Sequence, residues 1–205
     1  MLTPADIVDL RAYERERDDF RRRVIERKRR RRVALGPIMT LVFECADTVR
    51  FQVQEMARAE KIVTDEGIQA ELDVYNSLLP SPGELSATLF IELTTEPDLR
   101  HWLPLLPGIE RDIGIAIETV GAPADLVRSW PEEAHARSLT RDSITPAVHY
   151  LRFTFSEDEV SRFAAGRASL VADHPHYQAH AALSRETHDE LLADLEGRTE
   201  PLAMG

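Results

Sequence analysis

Three histidines, His174, His176 and His180, lie close together in the segment 173–180. If this segment is extended, alternate side chains point to one side of the chain, and all three imidazoles share that side. If it is helical after Pro175, His176 and His180 still share a helix face at i,i+4 spacing. Imidazole nitrogens bind Zn, Fe, Ni and Cu. The spacing therefore predicts a transition-metal site, with iron or zinc as the expected ion, and the alternative is a solvated surface segment.

His149 is a further candidate ligand, inside an apolar strand predicted at 147–155. Alternation places its side chain on the same side as Leu151 and Phe153. A histidine there is either hydrogen-bonded within the core or a metal ligand or proton carrier, because burial and neighbouring charges move its pKa across neutral pH. The predicted sheet places this strand beside 168–173, which would bring His149 close to His174. The predicted metal ligands are therefore His149 and His174, joined by His176 and His180.

Carboxylates on two predicted central helices form another candidate group. Glu55 is the candidate general base of a metal-dependent enzyme, because carboxylates on packed helices can build metal or acid–base sites. The alternative is a solvated helix face on which Glu55 pairs with Arg58. The single cysteine, Cys45, follows Glu44 in an apolar strand, which indicates a buried, unreactive thiol. The chain contains no GxGxxG, Walker, HExxH or GxSxG motif.

Helices and one short hairpin make up the predicted N-terminal segment, residues 1–83. Apolar residues at helical or alternating spacing, N-cap residue types and helix breakers predict its elements. These are a helix at 4–30, a hairpin of strands at 33–35 and 38–43, a helix at 47–62 and a helix at 64–79. The first half of the helix at 47–62 also alternates in the manner of a strand. A cluster of proline and glycine at 80–83 marks the boundary of the segment.

Residues 84–196 are predicted to form an α+β sheet domain that is compact with the first segment, and 197–205 a frayed tail. The predicted elements are strands at 87–93, 113–120, 124–127, 147–155 and 168–173, helices at 96–106, 157–165 and 184–195, and a polar loop at 128–145. Two strand–helix–strand units repeat at an offset of 61 residues, each with a hydroxyl N-cap and an acid three residues later. This repeat predicts a ferredoxin-like βαβ–βαβ antiparallel or mixed sheet with helices on one face.

Charge is unevenly distributed along the chain. Residues 1–36 hold 12 basic and 7 acidic residues, whereas the whole chain carries a formal charge of −11. The cationic end of the first helix, with Arg22, Arg23, Arg29 and Arg30, is a predicted partner-docking patch. Nucleic-acid binding through this helix is the least favoured function, because the acidic body repels phosphate and the basic run lacks aromatic residues for stacking.

The expected location is the cytoplasm. No apolar stretch is long enough to span a bilayer, and the N-terminus lacks the apolar core of a secretion signal. A single cysteine cannot form an internal disulfide, which fits a reducing compartment. Assembly into a homo-oligomer stays open at this point.

Several segments resemble an uncharacterised bacterial domain-of-unknown-function family. They are the runs at 31–37, 52–56, 72–76, 147–153 and 173–175. The resemblance extends from about Leu2 to Leu195. Such proteins are often encoded beside rubrerythrin-like proteins and iron–sulfur reductases related to heterodisulfide reductase, which implies a role in redox metabolism or peroxide defence. Relatives carry histidine after the Gly-Pro pair where this chain has Ile38, so no metal role is carried over to that position.

Three functional hypotheses follow. The first is a redox-associated accessory protein that docks on an iron–sulfur or rubrerythrin-type partner, and the partner would hold the cluster. The second is a metal-dependent enzyme that uses the histidine site, with Glu55 as the base. The third is nucleic-acid binding through the basic N-terminal helix.

Overall fold

In the computed structural model, the described residues are 1–119, 121, 124–132 and 145–203. The α-helices in these ranges are α1 (Leu10–Arg30), α2 (Ala46–Glu60), α3 (Asp65–Tyr75), α4 (Glu96–Trp102), α5 (Glu157–Ala165) and α6 (Arg185–Leu195). The strands are β1 (Arg32–Leu35), β2 (Met39–Phe43), β3 (Glu84–Ile91), β4 (Ile113–Glu118), β5 (Asp125–Arg128), β6 (Trp130–Pro131), β7 (Val148–Thr154), β8 (Arg167–His174) and β9 (Tyr177–Ala182). The predicted α+β class, with N-terminal helices and a short hairpin, is confirmed. No helix among the described residues is long and apolar enough to cross a membrane.

The strands form two antiparallel sheets. Sheet one has the order β1–β2–β3–β7–β6, and sheet two has the order β5–β4–β8–β9. Both predicted strand–helix–strand units are present, as β3–α4–β4 and β7–α5–β8, but each unit begins in sheet one and ends in sheet two. This corrects the ferredoxin-like arrangement, in which both strands of a unit share one sheet. The physical reason is that β3 pairs antiparallel with β7 and β4 pairs antiparallel with β8, so each helix carries the chain between layers.

The main hydrophobic core lies between the two sheets. Phe43, Leu89 and Phe153 from sheet one join Ile115 and Leu170 from sheet two in one cluster, and all five are fully buried. Along β7 every second residue is buried, and the buried isoleucines of β4 have the same spacing, so these strands turn an apolar face to the core. Two sheets with one apolar face each bury most surface by packing those faces together.

The helix predicted at 4–30 is divided in two. Residues Pro4–Asp6 form a 3₁₀ turn, and α1 begins only at Leu10. Asp9 is the N-cap of α1, because its carboxylate accepts the backbone N–H groups of Arg11 and Ala12. The chain therefore makes a corner before α1, and this corner later forms one wall of a groove.

The alternative between helix and strand at 47–62 is resolved in favour of the helix. Val49, Val53 and Ala57 lie buried along one side of α2 at the i,i+4 spacing of a helix face. α1 packs beside α2 through Tyr13 and Phe20, which are fully buried. The helical layer therefore has its own small apolar cluster, separate from the core between the sheets.

Sheet one spans the predicted boundary at residues 83 and 84. β2 lies before the boundary and β3 after it, yet the two strands pair along their length, with Leu41 opposite Leu89. Part of the predicted loop at 128–145 lies outside the described residues, at 133–144. The described start of that loop contains the short strand β6, which pairs with β7.

The C-terminal tail does not project freely, which differs from the frayed tail that the sequence predicted. Leu202 donates its backbone N–H to both carboxylate oxygens of Asp47, at 3.0 and 3.1 Å. Its side chain packs on the apolar cluster of α1 and α2. The Asp47 carboxylate and the apolar cluster of α1 and α2 therefore hold the tail at Leu202.

Candidate functional site

His149 lies on β7 with its side chain directed into the core, and it is 8% exposed. Thr145 Oγ1 lies 3.0 Å from its Nε2, and Glu110 Oε2 lies 3.7 Å from its Nδ1. Burial lowers the pKa of His149, although the Glu110 carboxylate opposes this effect. A neutral imidazole can accept the Thr145 hydroxyl proton at Nε2. The arrangement fits a hydrogen-bonded core histidine, and the nearby carboxylate is the feature that fits a proton carrier.

The segment 173–180 is a β-hairpin, which corrects the predicted extended or helical run. β8 ends at His174, β9 begins at Tyr177, and Pro175 and His176 form the turn between them. His180 lies opposite Val171. Cross-strand partners share a face, and successive residues alternate, so His180 and His174 point to opposite faces of sheet two.

Both ring nitrogens of His174 have partners within the protein. The backbone N–H of His176 donates to His174 Nδ1 at 3.2 Å, and His174 Nε2 lies 3.3 Å from the Pro107 carbonyl oxygen. Because Nδ1 accepts, Nε2 carries the proton and donates to Pro107. His174 is 5% exposed, so these two hydrogen bonds satisfy both nitrogens of a buried imidazole.

The structure brings together only part of the predicted metal set. His174 and His176 have ring centroids 5.9 Å apart, whereas His149 belongs to the other sheet. The expectation that the strand of His149 neighbours β8 is wrong, since β7 pairs with β3 and β6. Within the described ranges, no three His, Cys, Asp or Glu side chains are grouped so that they could hold one metal ion. The metal site stays a prediction from the sequence.

Glu55, the candidate base, binds two residues of α1. Tyr13 donates its hydroxyl to Glu55 Oε1 at 2.6 Å, and Arg17 donates to both carboxylate oxygens at 2.8 Å. The Arg17 guanidinium holds the pKa of Glu55 below its ordinary value. A carboxylate with a lowered pKa and occupied oxygens is a weak proton acceptor at neutral pH. The predicted pairing with Arg58 is replaced by a contact between Arg58 and Glu14.

The predicted docking patch on α1 divides into two halves. Arg29 and Arg30 reach Glu186 on α6, each at 3.2 Å, and Arg30 also lies 3.6 Å from Glu190. Arg22 pairs with Asp19 in its own helix, and Arg23 is exposed, with no carboxylate within ion-pair distance among the described residues. The C-terminal half of the basic run therefore joins α1 to the C-terminal helix, and among the four predicted arginines only Arg23 has no carboxylate partner in the described residues.

A buried ion pair continues this connection. Arg31 is fully buried and donates to both carboxylate oxygens of Asp194, at 2.6 and 2.9 Å. Glu190 lies 3.2 Å from the same guanidinium. Cys45 is nearby and buried, as predicted, and burial raises the pKa of its thiol. A thiol with a raised pKa is a poor nucleophile at neutral pH, so this cluster is structural.

A surface groove, which we call the N-terminal groove, lies between the corner before α1, the end of α2 and the start of α3. Its volume is about 350 Å³, and its apolar lining includes Ile7, Val8, Ile62, Val63 and Ile68. Val63 is 78% exposed at the rim. The wall is held by a paired amide contact, in which one glutamine of α2 binds both backbone groups of Val8 at 2.9 and 3.2 Å.

Sequence reasoning did not identify this groove. Its one local signal is the pair Ile62 and Val63, which follows a helix end at Lys61 in the left-handed conformation. Two apolar residues in a short interhelical loop have no helix face on which to bury themselves. Ile7 and Val8 come from a segment that the sequence assigned to a continuous helix, and Ile68 comes from a separate helix, so their convergence could not be read from spacing.

Comparisons with known proteins identify a family but no activity. Residues 1–195 match the family described as protein of unknown function (DUF3501). A crystal structure of a novel protein of unknown function from Burkholderia pseudomallei K96243 is 35% identical, with a TM-score of 0.82 over 95% of this chain and 98% of that chain. No curated protein matches the sequence. The relatives therefore share the fold and leave the function to be inferred from the surface.

Proposed function

The chain belongs to the DUF3501 family of proteins of unknown function, and from this premise we propose that it is a docking protein that binds a redox partner in the N-terminal groove. The single observation that carries the proposal is the open apolar groove with the exposed Val63 side chain at its rim. Exposed apolar surface gathered in a concave site is typical of protein or ligand contacts, whereas scattered apolar residues are not.

The charges beside the groove define the partner's chemistry. A shallow acidic depression adjoins it, shares Pro4 and Asp65 with it, and is further lined by Glu66 and Asp73. An amphipathic partner segment with aliphatic side chains for the groove and arginine or lysine beside them would satisfy both surfaces. We therefore place docking at the acidic end of the helical layer, and Arg22 and Arg23 form a secondary contact of opposite sign.

The class of partner comes from the resemblance. Genes of similar proteins stand beside those of rubrerythrin-like proteins and heterodisulfide-reductase-like iron–sulfur proteins, so one of these is the expected partner. In this role the partner carries the metal or cluster, and this chain contributes a binding surface. The metal-dependent enzyme remains a second prediction, and no contact of His149 or His174 favours it over docking.

The test measures binding of purified partners. The chain is titrated by isothermal calorimetry with a rubrerythrin-type protein and with a heterodisulfide-reductase-type iron–sulfur protein from one organism. Val63→Asp is expected to weaken binding about 10-fold or more, because a buried valine contributes roughly 1.5–3 kcal/mol and an unpaired carboxylate opposes burial. Val74→Asp is the matched control, since Val74 is 50% exposed on α3 and does not line the groove.

Two results would reject the proposal. One is the absence of measurable binding to either partner. The other is equal weakening by Val63→Asp and Val74→Asp, which would place binding elsewhere or reflect net charge alone. Binding that is lost only in Val63→Asp supports docking in the groove.

A further inference from the structure

The seat of the C-terminal tail has the features of a peptide-binding site. We call it the tail seat, and it is formed by the first half of α2 and the facing side of α1. Asp47 accepts the backbone N–H of Leu202, and Arg50, one turn later on α2, donates to the carbonyl oxygen of the same residue. Both backbone groups of one residue are thus bound by two side chains, as an adjacent strand would bind them.

The tail seat is held in position by other contacts. The Asp47 carboxylate is 1% exposed and lies 3.4 Å from Arg27 and 3.0 Å from Arg50. The Arg50 guanidinium also lies 5.1 Å from the centre of the Phe20 ring. These contacts fix the two side chains that bind the peptide backbone, so little conformational entropy is lost when a peptide enters.

The side chain of the bound residue has an apolar place. Leu202 packs against the cluster of Tyr13, Phe20 and Val24, which also includes the half-buried Phe51. Beside the tail, a surface depression of about 180 Å³ is lined by Ala46, Asp47 and Pro201, among others. The seat therefore combines two side chains that bind a peptide backbone with an apolar contact for one side chain.

The tail seat lies inside the range of residues that matches the family, and the tail that covers it lies outside that range. Every residue that forms the seat lies within the match at 1–195, whereas the tail residues that fill it lie beyond that match. The matched region thus supplies a backbone-binding pair and an apolar site, and the segment that covers them lies outside the matched range.

We propose that the tail seat is a second docking site, which takes an extended segment of a partner protein with a leucine or similar aliphatic residue, and that the tail of this chain is an intramolecular competitor. The tail is tethered to α6 at Leu195, only a few residues from Leu202, so its effective concentration at the seat is high. A partner segment must displace it, and this competition makes docking depend on the concentration or multivalency of the partner. This site is separate from the N-terminal groove.

The test uses a fluorescent peptide with the sequence of residues 196–203 and the full-length chain. Leu202→Asp releases the tail, because a carboxylate cannot occupy the apolar cluster, and the peptide is expected to bind this variant at least about 10-fold more tightly than the wild-type chain, by anisotropy. Ala203→Asp is the control, since Ala203 is exposed and its substitution leaves the seat occupied. Peptide binding to Ala203→Asp should match binding to wild type.

A change in the peptide itself avoids any effect on folding. A peptide with aspartate in place of leucine is expected not to bind the Leu202→Asp chain. Equal binding of both peptides, or no binding of the leucine peptide to the Leu202→Asp chain, would overturn the proposal. Val63→Asp should leave peptide binding unchanged. The proposal for the N-terminal groove and the proposal for the tail seat can therefore fail independently of each other.

Discussion

The ion pair between Arg31 and Asp194 predicts a large and specific loss of stability when one partner is removed. Arg31 has no exposed surface, and the side chain of Asp194 is 3% exposed. In Arg31→Met, the carboxylate would stay buried without its two hydrogen bonds of 2.6 and 2.9 Å. Breaking a buried pair in this way costs about 3–5 kcal/mol, because the remaining charge is uncompensated.

The double variant Arg31→Met/Asp194→Leu separates this explanation from a simple packing defect. It removes both charges and fills the space with apolar atoms, which is often neutral or stabilising for buried pairs. We expect its loss of stability to be smaller than that of Arg31→Met by about 3 kcal/mol. Arg30→Met is the matched control. Arg30 is 41% exposed, so its substitution should cost less than about 1 kcal/mol.

Urea-induced unfolding, followed by tryptophan fluorescence, gives the free energy of unfolding of each variant. The reasoning is refuted if Arg31→Met and Arg30→Met lose similar stability. It is also refuted if the double variant is as unstable as Arg31→Met, because the loss would then come from the shape of the arginine and not from a stranded charge.

Three further predictions concern local contacts. Arg17 lowers the folded-state pKa of Glu55 below its ordinary value of 4.5. The stability that the Glu55 carboxylate contributes is therefore present above pH 4.5 and is lost as the pH falls through the lowered pKa. The difference in unfolding free energy between wild type and Glu55→Gln should accordingly shrink in acid. His174→Ala should cost about 1–3 kcal/mol in urea unfolding, because a buried imidazole and its hydrogen bond to the Pro107 carbonyl are removed, and metal content measured by elemental analysis should not change. Gly36→Ala should lower the melting temperature, because Gly36 has φ +70° and an added Cβ would meet a tyrosine hydroxyl of β9, a strain of about 1–3 kcal/mol. A melting temperature equal to wild type would exclude that strain.

Local patterns predicted the elements of this protein better than their pairing. The apolar spacing of Phe20 and Val24 identified α1, and the hydroxyl N-caps Thr95 and Ser156 identified the starts of α4 and α5. Pairing is a non-local choice. The apolar residues of β3 and β7 are compatible with one sheet or with two, so the sequence pattern could not separate the two topologies.

The histidine segment shows a second limit. Pro175 and His176 form a two-residue turn without the glycine or asparagine that usually identifies one. The inward face of β9 after this turn carries Tyr177 and then only small alanines, which is a weak strand signal. Three imidazoles that looked alike in the sequence therefore have different environments, and only His174 is buried.

The basic run shows why charge in a sequence is a poor guide to a binding surface. Arg27 binds Asp47, Arg31 binds Asp194 and Arg32 binds Glu92, so much of the positive charge of the N-terminal segment neutralises acids of the same chain. The first of these contacts joins α1 to α2, the second joins the end of α1 to α6, and the third joins β1 to the residue after β3. A partner that bound the arginines would have to break intramolecular ion pairs, whereas a partner that used the groove or the tail seat would only displace water or a short tail. On this physical ground, we place the proposed docking at the N-terminal groove and the tail seat and not at the arginine run.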